Sequence, residues 1–171
     1  SGSISTNDLL AAGNVTADAS TTISTGNIDA GGTIALSADT ILGGNMTADG
    51  FIDLFAGGPA TIDVGNLTGD GVYLTSIGNI TTGTIYSTLD VEATSCDGST
   101  TTSDIAAATD VTLNAAGAIT TGSIVAGGSL SLTGSSLALG DLSGNILNLT
   151  STLADIATGD VVAFGDLNVS S

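Results

Sequence analysis

Residues 26–38 read Gly-Asn-Ile-Asp-Ala-Gly-Gly-Thr-Ile-Ala-Leu-Ser-Ala, and this order of glycine, polar and aliphatic residues decides the fold. Residues 122–133 repeat it as Gly-Ser-Ile-Val-Ala-Gly-Gly-Ser-Leu-Ser-Leu-Thr. In both stretches an aliphatic pair, separated by one residue, comes six and eight positions after the first isoleucine. This alternation is the period of a β-strand with one buried face. We expect the glycines between the strands to turn the chain by adopting positive φ.

The same signature recurs along the chain as a small residue, usually glycine, one further residue and an aliphatic side chain. Successive copies are 18, 21, 18, 20, 19, 18 and 19 residues apart, which averages 19.0. In the coil that begins at Ile85, we place the later aliphatic pair at Leu89 and Val91. The predicted core ladder comprises Ile28, Ile34, Leu36, Met46, Ile52, Leu54, Leu67, Ile105, Val111, Leu113, Ile124, Leu130, Leu132, Leu142 and Val161. A third aliphatic position follows at Ile41, Ile80, Ile119, Leu137 and Ile156.

A unit of about 19 residues cannot bury the apolar face of its own strands, but it can when it stacks on a copy of itself. Strands of successive units then pair in parallel about 4.8 Å apart, and nine units make a rod about 43 Å long. The sequence therefore predicts an all-β parallel β-helix (β-solenoid) of about nine coils, formed by a single domain over residues 1–171. An antiparallel sandwich and a disordered stalk are the alternatives, and neither accounts for a fixed repeat that carries an aliphatic ladder.

The charge of the chain is one-sided. It has 17 acidic residues and no Lys, Arg or His, which gives a formal net charge of −17. Because no side chain can neutralise a phosphate, we exclude nucleic acid as a partner, and an anionic membrane surface repels the chain. No apolar run approaches the roughly 18 residues that cross a bilayer, so membrane insertion is not expected.

Catalysis needs its own test, because parallel β-helices include polysaccharide lyases and hydrolases. Those enzymes set clustered carboxylates beside basic residues, and this sequence has no basic residues. Carboxylates that meet across coils would lack the partners that separate acid and base roles. We therefore expect no catalytic residues and no enzyme activity. No cofactor is expected, although weak calcium binding by aspartates beside turn glycines is an alternative to their plain solvation.

Six asparagines are followed two residues later by Thr or Ser, which makes them candidate N-glycosylation sites: Asn14, Asn45, Asn66, Asn79, Asn148 and Asn168. The alternative is that they occupy turns and stack on asparagines of neighbouring coils. Pairs such as Thr81-Thr82 raise the idea of an ice-binding face, but the Thr-x-Thr ladder in register that such a face needs is missing. We interpret the polar segment 95–103 as a loop that leaves the stack, with Cys96 as a free thiol or in an intermolecular disulfide.

The units at 26–38 and 122–133 resemble the repeats of filamentous haemagglutinin-like exoproteins, large bacterial adhesins of which many are exported by two-partner secretion. The resemblance covers about residues 13–169 and implies a right-handed parallel β-helix, an extracellular or cell-surface location and a role in adhesion or biofilm. It also implies a glycan or protein receptor on a host or other cell surface. This chain differs in having no basic residues, and it has no motif of the secretion domain, so the resemblance is to the shaft.

Both ends of the chain look like further coil rather than caps. The length of 171 residues equals nine repeats of 19, so a copy placed after Ser171 keeps the register. We therefore expect the stack to continue, either within a longer chain or by end-to-end self-association. Two functions follow: the shaft of a filamentous surface adhesin, or a self-assembling extracellular filament, surface-layer or matrix subunit.

Overall fold

The computed structural model describes residues 2–171, and Ser1, the first residue of the predicted domain, lies outside the described residues. Across residues 2–171 the secondary structure consists of 27 β-strands and no helix. The strands form three sheets of nine over the same residues, and neighbouring strands pair in parallel. The predicted all-β parallel β-solenoid is therefore confirmed.

The strands are numbered in chain order. Sheet A is formed by β1 (Ile4–Ser5), β4 (Thr22–Ser24), β7 (Thr40–Leu42), β10 (Ile62–Asp63), β13 (Ile80–Thr81), β16 (Thr100–Thr101), β19 (Ile119–Thr120), β22 (Leu137–Ala138) and β25 (Ile156–Ala157). Sheet B is formed by β2 (Leu9–Ala11), β5 (Ile28–Ala30), β8 (Met46–Ala48), β11 (Leu67–Gly69), β14 (Ile85–Ser87), β17 (Ile105–Ala107), β20 (Ile124–Ala126), β23 (Leu142–Gly144) and β26 (Val161–Ala163). Sheet C is formed by β3 (Val15–Asp18), β6 (Ile34–Ala38), β9 (Ile52–Ala56), β12 (Val72–Ser76), β15 (Val91–Ser95), β18 (Val111–Ala115), β21 (Ser129–Gly134), β24 (Ile146–Ser151) and β27 (Leu167–Ser170). One strand from each sheet makes one coil, so residues 2–171 form nine coils.

Strand pairing keeps equivalent residues in register from coil to coil. In sheet B, Ile28 pairs with Met46, which pairs with Leu67. Paired residues lie between 17 and 21 positions apart in the sequence, and the longest interval is shared by the pairs Ile41–Ile62 and Met46–Leu67. The predicted spacing of about 19 residues is confirmed.

The interior is filled by ladders of aliphatic side chains that face inward from each sheet. The residues of the predicted ladder from Ile28 to Leu142 are at most 2% exposed. Val161 lies in the ninth coil and is only partly buried, because within residues 2–171 no further coil covers it. In sheet A, Ile41 and Ile119 of the third aliphatic position are fully buried. Burying such a side chain contributes about 1.5–3 kcal/mol, so the ladders are a major source of stability.

One aliphatic pair was placed wrongly from the sequence. In the coil that begins at Ile85, β15 turns Val91 and Ala93 inward, and both are buried. Leu89 precedes that strand and is 42% exposed. The aliphatic pattern favoured Leu89 because it is the larger side chain, whereas pairing with β12 requires the pair to begin at Val91, in register with Val72.

The expected role of the glycines is also wrong. No residue from 2 to 171 has a positive φ, glycines included. The corners instead bring the backbones of adjacent coils very close together. A β-carbon at Gly31 would lie 2.7 Å from the carbonyl oxygen of Ala12 in the coil before it. Glycine is therefore needed there for the close approach of two backbones rather than for a left-handed conformation.

The segment 95–103 does not leave the stack, so the predicted loop is wrong. Ser95 ends β15 in register with Ser76, and the N–H of Cys96 donates to the carbonyl oxygen of Ser76 at 2.9 Å. Five residues after Ser95, Thr100 begins β16 of sheet A. A polar composition suggested a loop, but short polar side chains fit the inward positions at this point of the core. The Cys96 side chain is exposed.

Candidate functional surfaces

A row of mostly Asn and Asp side chains follows the corner between sheets A and B. The positions of this row within residues 2–171, termed the corner ladder, are Asp8, Asn27, Asn45, Asn66, Thr84, Asp104, Ser123, Asp141 and Asp160. The backbone N–H of Asn45 donates to Oδ1 of Asn27 at 2.9 Å, and that of Asn66 donates to Oδ1 of Asn45 at 2.8 Å. The same bond joins Asp104 to Ser123 in a later coil. These side chains extend the hydrogen bonding of the sheets around the corner.

The glycine of the repeated signature makes room for the corner ladder. A β-carbon at Gly44 would lie 2.6 Å from Oδ1 of Asn27, and equivalent clashes would arise at Gly26, Gly65, Gly83, Gly122 and Gly159. Both the glycine and the polar residue of the signature therefore serve the same hydrogen bond between adjacent coils. The ladder side chain accepts a backbone N–H from the next coil, and the glycine of that coil leaves space for the accepting oxygen.

The six candidate glycosylation asparagines lie in two settings. Those at corners each accept a backbone N–H of the next coil through Oδ1: Asn14, Asn45, Asn66 and Asn79. Asn148 and Asn168 lie on the outer face of sheet C, where Nδ2 of Asn168 donates to Oδ1 of Asn148 at 2.9 Å. Asparagine contacts between coils, the alternative to glycosylation, are therefore present. Glycosylation itself stays a prediction.

The threonine pairs do not form a double row on the surface. Thr81 is exposed, whereas the second members of two pairs, Thr82 and Thr121, are buried. Oγ1 of Thr82 donates to the carbonyl oxygen of Gly83 at 3.1 Å, and Thr121 makes the equivalent bond at 2.9 Å. One hydroxyl of each of these pairs is thus used inside the corner.

Two findings concern metals and membranes. Among residues 2–171, the side chains of His, Cys, Asp and Glu form no group of three or more that could hold a metal ion. Within the described part of the chain, no helix is long and apolar enough to cross a bilayer. Weak calcium binding and the absence of membrane insertion both stay predictions.

The outer face of sheet C changes in character along the rod. Register aligns the outward side chains of its strands in two rows. The aromatic face, in the first half, is defined by Phe51, Asp53, Phe55, Tyr73 and Glu92. The hydroxyl face, in the second half, is defined by Thr112, Asn114, Ser131, Thr133, Asn148 and Thr150. The same sheet therefore offers two surfaces of different chemistry.

The aromatic face carries three of the five aromatic residues of the chain. The ring centroids of Phe51 and Tyr73 are 5.9 Å apart with planes inclined at 51°, which is a favourable geometry for an aromatic pair. Phe51 is 43% exposed and Phe55 is 48% exposed. A β-carbon at Gly71 would lie 2.8 Å from Cδ1 of Phe51 and 2.9 Å from the hydroxyl oxygen of Tyr73. Glycine at this position therefore allows the ring pair to form.

Carboxylates stand on both sides of the Tyr73 ring. Asp53 precedes Tyr73 and Glu92 follows it in the register of sheet C, each one strand away at about 4.8 Å. The Tyr73 hydroxyl donates to Oδ1 of Asp90 at 3.0 Å. Burial, then the hydrogen bond and charge of Asp90, and then the charge of Glu92 raise the pKa of Tyr73. The chain has no basic side chain, so these carboxylates have no internal counter-charge.

A shallow groove of about 170 Å³ lies beside Phe55. Its outward lining residues come from β3, β6 and β9: Thr16, Asp18, Ala35, Ser37, Asp53 and Phe55. The groove exists because Ala35 and Ser37 are shorter than the side chains on the strands at either side. It therefore has a floor of small residues, a wall formed by Phe55 and a carboxylate from each flanking strand.

Sequence reasoning did not identify the aromatic face. A signal was present, because the residue inside each aliphatic pair must point outward. In the coils of β9 and β12 that residue is Asp53 and Tyr73, and Phe55 follows as the next outward residue of β9. Glu92 takes the same position only once the pair of its coil is placed at Val91 and Ala93. The repeat does not reveal this signal, because only the inward residues recur from coil to coil.

The surfaces differ in what they can do chemically. The hydroxyl face presents uncharged donors and acceptors, and the aromatic face presents rings beside carboxylates. The corner ladder uses many of its oxygen atoms within the stack.

In comparison with known proteins, the chain matches no family model, no curated protein and no solved structure.

Proposed function

We propose that this chain is a structural module of an extracellular attachment rod, in the shaft of a filamentous haemagglutinin-like adhesin. The observation that carries the proposal is the continuity of the three sheets, each of which runs through all nine coils of residues 2–171. The resemblance of units 26–38 and 122–133 to the repeats of that family adds support.

Continuity suits a shaft because the main-chain hydrogen bonds between coils lie along the rod. They persist at the corners, where the N–H of Gly44 donates to the carbonyl oxygen of Gly26 at 3.0 Å and that of Gly83 to Gly65 at 3.1 Å. Each of these hydrogen bonds makes a net contribution to stability of about 0.5–1.5 kcal/mol. Separating two coils must break many of them together. Such a module can hold a binding surface at a fixed distance from the cell that carries it.

The outer surface is consistent with a secreted or cell-surface location. A net charge of −17 keeps the rod solvated and opposes non-specific association. The absence of Lys and Arg removes the cleavage sites of trypsin-like proteases, which suits a protein exposed outside the cell. We propose a receptor of glycan or protein nature on another cell or in a biofilm, and no enzyme activity.

Attachment is tested with beads that carry the chain and pass over cultured cells and biofilm in a flow chamber. We expect stronger retention than for beads that carry the variant Leu54→Asp, because a charge in the fully buried ladder disrupts the coils. Equal retention of both would contradict attachment. Electron micrographs of the chain should show rods about 43 Å long, and compact globules would contradict the shaft.

A self-assembling filament, surface-layer or matrix subunit is the second candidate, and the ninth coil is compatible with it. In β27, Leu167 and Val169 are 49% and 57% exposed. They pair with Leu147 and Leu149 of β24, which are buried under them. A further coil would cover β27 in the same way, and end-to-end association of copies supplies one, as does a longer chain.

Light scattering and electron microscopy over a range of protein concentration distinguish the two candidates. Fibres that lengthen with concentration support self-assembly, and a monodisperse monomer without fibres overturns it. We expect fibres to form more readily at high salt, because screening weakens the repulsion between acidic copies.

Mass spectrometry of the secreted protein tests glycosylation of the six asparagines, which an unmodified mass would contradict.

A further inference from the structure

The aromatic face is the part of the surface that a purely structural rod does not require. Single exposed apolar residues are ordinary, but clustered aromatic side chains mark contact surfaces. Phe51, Phe55 and Tyr73 lie on adjacent coils, and Gly71 makes space for two of the rings. We propose that the aromatic face and its groove bind a cationic segment of a partner protein through arginine or lysine side chains.

Charge complementarity selects this partner chemistry. Asp53 and Glu92 stand beside the rings, and Asp18 lines the groove. The chain itself has no Lys, Arg or His that could neutralise them. A partner that brings positive charge removes the repulsion between these carboxylates, whereas an anionic partner would add to it.

The groove beside Phe55 has the features of a site for one basic side chain. A guanidinium or ammonium group above Ala35 and Ser37 lies next to the Phe55 ring, where a cation–π contact forms. The same position lies between Asp18 on β3 and Asp53 on β9. Arginine fits better than lysine, because its planar group can stack on the ring and pair with a carboxylate at once.

The ring pair offers a second position further along the rod. Tyr73 lies two strands beyond β6, which is about 10 Å at the strand spacing of a sheet. Its ring is fixed by Phe51 on one side and by the hydroxyl bond to Asp90 on the other. An extended segment that lies along the rod therefore meets both positions with basic residues a few residues apart.

The hydroxyl face provides the contrast within the same sheet. Its six side chains are neutral and none is aromatic, so it lacks both elements that attract a cation. We therefore place the binding surface on coils one to five, where β3, β6, β9, β12 and β15 supply the outward residues.

This inference rests on the proposed attachment function for its setting, since it names the partner chemistry of an attachment surface. The binding itself is measured on the purified chain without cells. If the purified chain does not bind the peptide but still forms rods and still retains beads, the inference is overturned and the attachment function is not. Loss of bead retention with peptide binding preserved would instead overturn the attachment function.

The probe is a short fluorescein-labelled peptide of alternating arginine and serine, titrated with the full chain and followed by fluorescence anisotropy. The control peptide has citrulline in place of arginine, which keeps the shape and removes the charge. Because the chain carries a charge of −17, it attracts any cationic peptide non-specifically. Matched variants distinguish this general attraction from binding at the aromatic face. Phe55→Ala is compared with Phe164→Ala, a strongly exposed phenylalanine of the ninth coil, and Asp53→Asn with Asp63→Asn on sheet A.

We expect Phe55→Ala and Asp53→Asn each to weaken binding of the arginine peptide about two- to fivefold, while Phe164→Ala and Asp63→Asn change it less. The citrulline peptide should bind weakly to all of them. Equal effects of Asp53→Asn and Asp63→Asn, together with no effect of Phe55→Ala, mean diffuse attraction and overturn the proposal. Binding of a neutral oligosaccharide that depends on Phe55, without binding of the arginine peptide, would assign the face to a glycan instead.

Discussion

The aromatic face and the hydroxyl face share one sheet and one kind of core, yet their outward side chains have different chemistry. In β9, Ile52 and Leu54 point inward and are fully buried, as Leu130 and Leu132 are in β21. Beside these inward residues, β9 presents an aspartate and a phenylalanine, whereas β21 presents a serine and a threonine. Because stacking depends on the inward side chains, the outward ones can differ without a change of fold. Differences in binding along this rod are therefore expected to come from outward residues.

The largest expected effect tests whether the two halves share one core. Leu54→Ala and Leu132→Ala each remove a fully buried leucine, one under each face. We expect each to lower the free energy of unfolding by about 2–5 kcal/mol, through lost burial and the cavity that remains. Urea unfolding of both variants measures the loss. If one substitution were nearly neutral, the halves would not share the same packing.

The next effect concerns Thr100, which lies in sheet A of coil six, the first coil of the hydroxyl face. It is fully buried in register with Ile80 and Ile119, and its Oγ1 has no hydrogen-bond partner. Thr100→Val keeps the shape and removes the unpaired hydroxyl, so the free energy of unfolding should rise by about 1–3 kcal/mol. Thr102→Val is the control, since Oγ1 of Thr102 donates to the carbonyl oxygen of Ser103 at 3.0 Å. A similar gain from both substitutions would contradict the explanation.

A smaller effect tests the corner ladder, which is continuous in the first half and interrupted in the second. Side-chain oxygens accept the next backbone N–H at every step from Asp8 to Thr84. Within the described residues, the hydroxyl of Ser123 makes no such bond to Asp141. We expect Ser123→Asn to supply it and to raise the free energy of unfolding by about 0.5–1.5 kcal/mol. Thermal unfolding should show no gain for Ser123→Ala, and a gain there would argue against the ladder bond.

The smallest effect distinguishes the faces by pH. The raised pKa of Tyr73 means that its hydroxyl stabilises the fold below its ordinary pKa of about 10 and loses this contribution as pH rises through the higher value. Near neutral pH, Tyr73→Phe should lower the free energy of unfolding by roughly 0.5 kcal/mol, because the bond to Asp90 is lost. As pH rises through the raised pKa of Tyr73 this difference should shrink, because the ionised hydroxyl no longer donates and is repelled by Asp90 and Glu92, whereas phenylalanine does not titrate. Urea unfolding of Thr133→Val, on the hydroxyl face, should differ from the parent equally at pH values below and above that pKa.

Much of the fold could be predicted from the order of residues. Positions such as Ile34 and Leu36 recur at a nearly constant spacing, and only stacking can bury a repeated strand of this kind. The inward pair of β15 could not be predicted in this way, because the sequence allows both Leu89 with Val91 and Val91 with Ala93. Only the strand register with β12 selects Val91 and Ala93. The polar segment around Ser95 was misread for a related reason, since a buried serine is recognised only from its neighbours. Ser95 donates to the carbonyl oxygen of Gly78 at 2.7 Å.

The surface features, unlike the fold, could be predicted from the sequence only in part. Asn45 and Asn66 were recognised from the sequence as turn residues or glycosylation sites, and the contact between their coils agrees with the turn interpretation. The aromatic face was not recognised, because Phe51 and Tyr73 are far apart in the sequence and belong to intervals of unequal length. Their rings come within 5.9 Å only through the pairing of β9 with β12.

The sequence by itself determined that this chain stacks, since a buried face of one short strand per unit leaves no other way to remove its aliphatic side chains from water. It also determined the chemistry that the surface can draw on, which is acidic and hydroxyl-rich without any basic group. Only the tertiary structure decided which outward residues are neighbours and why glycine is needed at Gly44. The physical reason is that both depend on distances between coils, which strand register sets and local sequence does not.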